Sequence, residues 1–294
     1  MCIFMHKRER FQTCYEKQIR ATGSKGEKRA GKMGNRYENL QDMGKEEMRR
    51  TVSEAARNRE YQVWYQPQVD MGTGEIFGAE ALVRWRHPQK GLLLPGHFIP
   101  ALEKNGLMPL LDREVLRIVR RDAGEAKKAG IPAGPISVNL STFCAGTKGL
   151  AGEEDLLFEI TETAKEEEEN REIWRFAKQL REEGFRIAMD DYGMGRSTLK
   201  MLCQVPFDIL KLDRYFISRI GEEKGETILK STIALAKDLG MEIVAEGLES
   251  REQIAFLLRH GCRLGQGYYY ARPLERDRYF QFRAEGKRLP EGRR

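Results

Sequence analysis

Two rhythms of apolar and polar residues alternate along this chain. Residues 45–59 place Met48, Val52 and Ala55 at helical spacing among charged neighbours, which predicts an amphipathic helix. YQVWYQP (61–67) and EIFGAEALVRW (75–85) follow as apolar and aromatic runs. The short glycine-bearing link DMGTG between them leaves no room for a helix, so the first two strands are predicted to form an antiparallel hairpin. Further strands are predicted near 135–140, 156–160, 186–190, 207–212, 241–245 and 262–268. Helical periods over 112–129, 166–183, 223–239 and 250–259 separate most of them. Eight strands with intervening helices predict an α/β fold, a modified (β/α)8 TIM-like barrel with an antiparallel first strand. A doubly wound open sheet fits less well, because polar residues end nearly every strand instead of gathering at one crevice. One connection is abnormal. The stretch STFCAGTKGLAGEED carries glycines and no apolar period, so the helix expected at 141–154 is predicted to be missing or shortened.

Composition refines this picture. A chain of 294 residues suits one large domain. Of the net charge of +6, the first 36 residues contribute ten Lys/Arg against three Asp/Glu, and the rest is close to neutral. Residues 1–40 therefore read as a basic, disordered and solvated tail, with contact to nucleic acid or an acidic membrane as the alternative. No nucleic-acid polymer is expected as the main partner. Residues 41–59 form the lead-in helix, 60–280 the barrel and 281–294 a second basic tail. No apolar run approaches the roughly 18–20 residues needed to span a bilayer, and MCIFMHKRERF is too charged for a signal peptide, so a cytoplasmic location is expected. Five cysteines without CxxC spacing read as reduced thiols, and four histidines without HxxxH spacing argue against a zinc hydrolase.

The candidate chemistry sits at the strand ends. Glu80, Asn139, Glu159, Asp190, Asp191, Lys211, Glu246 and Gln266 each close an apolar run, and a barrel brings such ends to one rim. Carboxylate and amide oxygens without Cys or His favour a hard divalent ion such as Mg²⁺ or Mn²⁺. Unpaired carboxylates inside apolar strands are costly, so a metal or salt-bridge partner is expected for Glu80, Glu159 and Glu246. Simpler readings remain open beside this one: Lys211 pairing with Asp213, and Arg84 in a surface salt bridge. The acidic run at 166–169 reads as a helix start. Tyr268, Tyr269 and Tyr270 read as barrel packing, with a guanine contact as the alternative.

Taken in order, EALVRW from Glu80, SVNLS, EITE, DDYGMG, DILKLD, VAEGLE and GQGYYYARP resemble the EAL-domain family. That resemblance, over about residues 58–275, implies a phosphodiesterase that opens the bacterial second messenger cyclic di-GMP to linear pGpG with two Mg²⁺ or Mn²⁺ ions. It implies Glu80, Asn139, Glu159, Asp190 and Asp191 as metal ligands, with Asp190 bridging. The catalytic set would be Glu246, Lys211 and Gln266. Arg84 as phosphate clamp, Leu82 and Asp213 would bind substrate, and Glu162 and Glu249 would support loops. The family's loop at Gly193 and Gly195 couples ligand binding to dimer contacts, which implies a homodimer through the rim loop and adjacent helix; Met194 departs from the residues usual there. Two other functions are weighed. A receptor that binds cyclic di-GMP without cleaving it would follow if the 141–154 segment displaced Asn139 or Glu159, and the lead-in helix or a partner subunit is expected to cover that flank. A glycoside hydrolase using Glu159 and Glu246 would leave the other residues idle and would need no metal.

Overall fold

The computed structural model describes residues 40–140, 155–161, 167–193 and 198–289, with the backbone alone at 161, 167–173 and 198. The helix predicted to be missing or shortened at 141–154 lies outside these residues. The chain divides into two compact units, whose described parts are 40–61 with 84–111, and 62–83 with 112–289.

The second unit holds most of the barrel; Tyr61 at the start of the first strand and residues 84–87 at the end of the second belong to the first unit. Eight strands close the barrel: β1 (Tyr61–Asp70), β2 (Ile76–His87), β4 (Ile136–Leu140), β5 (Leu156–Thr161), β6 (Arg186–Asp190), β7 (Ile209–Leu212), β8 (Glu242–Glu246) and β9 (Leu264–Gln266). Strands β2, β4 and onward to β9 pair in parallel, β1 runs antiparallel to β9, and the β1–β2 pairing completes the ring. The opening hairpin is thus as the sequence predicts. A short strand, β10 (Leu274–Glu275), pairs with β1 in the second unit, and in the first unit β3 (Gly91–Leu93) pairs with Trp85, Arg86 and His87 of β2.

Side-chain alternation builds the barrel interior in layers. Leu157, Ala188, Ile209 and Val244 form one buried apolar cluster with Leu264 packed against it. Two residues further along the same strands, and so on the same face, stand Glu159, Asp190, Lys211, Glu246 and Gln266. An apolar floor therefore lies beneath a polar layer. The opposite faces, with Phe158, Ile187, Met189, Leu210 and Ile243, are also buried. Strands buried on both faces need crossover helices outside them. The crossovers carry α3 (Met108–Lys128), α4 (Glu167–Glu182), α5 (Thr198–Gln204), α6 (Arg214–Ile217), α7 (Glu223–Asp238) and α8 (Arg251–His260), and α9 (Arg276–Ala284) follows the last strand. The span from 281, read as a basic tail, continues α9 to Ala284, and buried Leu289 donates its N–H to the Gly74 carbonyl.

In the first unit, the lead-in helix α1 (Lys45–Arg57) buries Met48, Thr51, Val52 and Ala55. Helix α2 (Pro95–Lys104) buries Phe98, Ile99, Ala101 and Leu102. Tyr61, Trp85 and Phe98 form a ring cluster with centroids 5.4, 5.6 and 6.3 Å apart, and Trp85 donates its indole N–H to Glu60 Oε2 at 2.9 Å. The flank that α1 was expected to cover falls in the undescribed 141–154 segment.

Candidate active site

A buried ammonium organises the polar layer. Lys211 Nζ lies 2.6 Å from Glu159 Oε2, 2.6 Å from Glu246 Oε1, 3.1 Å from Asp190 Oδ1 and 3.8 Å from Glu80 Oε2, with the lysine 1% exposed. Parallel pairing explains the convergence, because Asn139 stands opposite Glu159 and Glu246 opposite Gln266. Gln266 and Glu80, 186 positions apart, become neighbours as well.

Two amides tie the acids together. Asn139 Nδ2 donates to Glu80 Oε1 at 3.0 Å, while Gln266 Nε2 donates to Glu80 Oε2 at 2.6 Å and to Glu246 Oε1 at 3.2 Å. Gln68 was not anticipated from the sequence. Its Nε2 donates to Gln266 Oε1 at 3.1 Å.

The electrostatics follow from burial. Desolvation pushes the Glu159 carboxyl up to about 8; Lys211 pulls against the rise, while Glu80 and Asp190 add to it. Burial also disfavours the charge on Lys211, yet Asp190, Glu159, Glu246 and Glu80 together hold its pKa well above the usual lysine range. The ammonium is a fixed positive centre.

Asp191 lies just past β6 and is buried in the left-handed region at φ 56°, a conformation that costs a non-glycine residue energy. Two residues later Gly193, at φ 83°, passes so close to Phe216 that a Cβ would stand 2.7 Å from the ring. Only glycine fits there.

Asp213 does not pair with Lys211; its Oδ1 accepts the Tyr215 N–H at 2.7 Å and caps α6. Glu249 is exposed and receives Arg214 Nη2 on Oε1 at 2.6 Å, while its own N–H goes to Gln253 Oε1 at 2.8 Å. Leu82 is half-buried on β2, and Arg84, buried on the same strand, belongs to the first unit. Glu162, Met194 and Gly195 lie outside the described residues. Tyr268, Tyr269 and Tyr270 are half-buried, with Arg272 4.2 Å over the Tyr268 ring and Arg251 Nε donating to the Tyr269 hydroxyl at 3.1 Å.

Among the described residues no three His, Cys, Asp or Glu side chains surround one point at ligand spacing. The acids close on Lys211, because carboxylates repel one another and gather on whatever positive charge is within reach. Donor chemistry nevertheless fits a hard divalent cation. Glu80, Glu159, Asp190, Asp191 and Glu246 are all buried, and Lys211 alone among the residues converging there is basic. Glu159 Oε1 is buried with no hydrogen-bond partner among the described residues, an acceptor that a cation would satisfy.

The EAL domain family profile matches residues 49–273. The cyclic di-GMP phosphodiesterase NbdA of Pseudomonas aeruginosa is 37% identical over 244 residues, which cover 78% of this chain and 31% of that protein. The cyclic di-GMP phosphodiesterase RocR of the same organism is 32% identical over 240 residues, covering 76% of this chain and 60% of that protein. The chain thus spans less than two thirds of either relative's length. Among solved structures, the PaMucR phosphodiesterase in complex with c-di-GMP superimposes with a TM-score of 0.68 at 33% identity, covering 78% of this chain and 98% of that one. No described helix is long and apolar enough to cross a membrane.

Proposed function

Since the chain belongs to the EAL domain family, we propose that it hydrolyses cyclic di-GMP to linear pGpG at the polar layer centred on Lys211. One observation carries this reading: acids from four strands meet a single buried lysine within 3.8 Å.

Glu80, Asn139, Glu159, Asp190 and Asp191 would hold one or two Mg²⁺ or Mn²⁺ ions. Asn139 turns its amide nitrogen to Glu80, which leaves its oxygen as the end available to a cation. Such ions supply Lewis-acid polarisation of phosphoryl oxygens and a lowered pKa for water. The chain's own groups do the rest. Glu246, at the edge of the layer and more exposed than Glu159 or Asp190, takes the proton of the attacking water on a carboxylate oxygen. Lys211 stays protonated throughout and places its charge where negative charge grows on the phosphoryl group. Gln266 holds Glu80 and Glu246 at a fixed separation through its amide nitrogen. The water oxygen bonds to phosphorus, one phosphodiester P–O bond breaks, and the released sugar oxygen takes up a proton.

The test is incubation of the purified chain with cyclic di-GMP and Mn²⁺, with chromatographic detection of pGpG. We expect turnover that EDTA abolishes and that Glu80→Ala lowers by at least about a hundredfold. Binding of cyclic di-GMP without pGpG would leave a receptor, and turnover unchanged by EDTA would refute the role of the ions.

A further inference from the structure

We propose that Gln68 is a positioning residue for this site: it locks the side-chain amide of Gln266 so that its nitrogen, and not its oxygen, faces Glu80 and Glu246. The inference rests on the phosphodiesterase reading and extends it to a residue outside the strand-end pattern.

Chemistry dictates the orientation. Gln266 stands between two carboxylates, its Nε2 2.6 Å from Glu80 Oε2 and 3.2 Å from Glu246 Oε1. Ionised carboxylates only accept hydrogen bonds, so the amide must present its NH₂ group to both. The carbonyl oxygen of Gln266 is thereby turned the other way, where a buried acceptor needs a donor. Gln68 Nε2 supplies it at 3.1 Å, and both glutamines are buried. Rotating the Gln266 amide by half a turn would set an oxygen against two carboxylates and an NH₂ against another NH₂. The donor from Gln68 adds to the preference that the two carboxylates set.

The backbone makes this pairing durable. β1 and β9 pair with Val69 opposite Gly265 and Asp70 opposite Leu264. One further step in the same register sets Gln68 directly opposite Gln266. Because β1 is the reversed strand, its inward residue reaches the polar layer from the opposite chain direction. A search for polar residues at strand ends passes over it. Outer partners that orient ligating groups commonly change metal affinity or activity by about 10–100-fold.

The test compares Gln68→Met, which keeps the length and loses the donor, with Gln68→Lys, which keeps a donor, alone and in a Gln266→Met background. Two readouts are taken on the intact chain: Mn²⁺ affinity by calorimetry without substrate, and kcat and KM for cyclic di-GMP. We expect Gln68→Met to weaken Mn²⁺ binding and lower kcat by about tenfold each with KM little changed, and Gln68→Lys to recover most of the loss. In the Gln266→Met background, Gln68→Met should add nothing further. Unchanged Mn²⁺ affinity and kcat in Gln68→Met, or losses that add in full to those of Gln266→Met, overturn the inference while leaving the phosphodiesterase standing. A wild-type chain that neither binds Mn²⁺ nor releases pGpG overturns both.

Discussion

Lys211 is the residue on which the site's stability and chemistry meet. Four carboxylates face it inside the barrel, so its removal leaves them to repel one another in a layer with little solvent. Breaking such a buried cluster by deleting one partner costs about 3–5 kcal/mol. In EDTA, Lys211→Met should unfold at a correspondingly lower urea concentration than wild type, and excess Mn²⁺ should restore part of the difference, since an ion bound only by the folded chain stabilises it. Equal urea midpoints in EDTA would show that the ammonium does not hold the layer together. A second single-residue effect lies at His87. Its Nδ1 accepts the N–H groups of Gln89 and Lys90 at 3.2 and 3.3 Å, so the neutral ring shapes the turn into β3. Burial lowers its pKa, with Glu60 opposing and Lys90 adding to the shift. The folded value therefore lies below the free value of about 6.5. The sign follows: the stability contributed by the neutral ring is complete above about pH 6.5 and is lost as pH falls through the folded value. His87→Gln keeps an acceptor that does not titrate, so its melting temperature should fall less than that of wild type between pH 7 and pH 5. Parallel curves would exclude His87 as the titrating group. At this scale the strand-end residues were readable in advance because a carboxylate inside an apolar run demands a partner. Which partner was not readable: Asp213, two positions from Lys211, caps a helix, while Glu80 and Glu159, far away in sequence, reach the ammonium.

Elements were legible where their period was long and unbroken. The strands from β4 to β8 and the helices α3, α4, α7 and α8 lie within a few residues of their predicted spans. Helix α2 is not among the predicted helices, and it carries Pro95 in its first turn and Pro100 inside. Pro95 occupies the first turn, where its missing N–H costs nothing, and the apolar face of Phe98, Ile99, Ala101 and Leu102 outweighs the bond lost at Pro100. Helix α8 shows the opposite case, an element whose start is written locally. Ser250 Oγ accepts the Gln253 N–H at 3.4 Å, and Gln253 Oε1 returns by accepting the Ser250 N–H at 3.1 Å. Ser250→Ala should cost about 1 kcal/mol in urea unfolding. Ser250→Asn should recover most of that loss, because its side-chain oxygen can accept the same N–H. Failure of both variants to change stability would mean that packing alone holds the helix start.

Across the whole second unit, a polar network fastens the outer helices to the barrel. Tyr65 on β1 donates its hydroxyl to Asp122 Oδ2 on α3 at 2.8 Å, and Asp122 Oδ1 receives Arg121 Nη2 at 2.8 Å and Arg276 Nε of α9 at 3.1 Å. Tyr65 and Asp122 are both fully enclosed. Tyr65→Phe should cost about 1 kcal/mol, whereas Asp122→Ala strands a buried hydroxyl and an arginine and should cost about 3 kcal/mol. The double variant should be little worse than Asp122→Ala, a non-additivity that unfolding of all four proteins would measure. Additive losses would mean that the residues act separately. None of these partners is announced by spacing in the sequence. By itself the sequence determined the order of the strands from β4 to β8 and of the longer helices, the hairpin that reverses the first strand, and the acids, amides and lysine at the strand ends, because hydrophobic period and the cost of burying charge are local properties. Only the tertiary structure decided which of those side chains touch. Register between strands set Gln68 opposite Gln266 and drew four acids onto Lys211, since distances between distant residues are fixed when the ring closes.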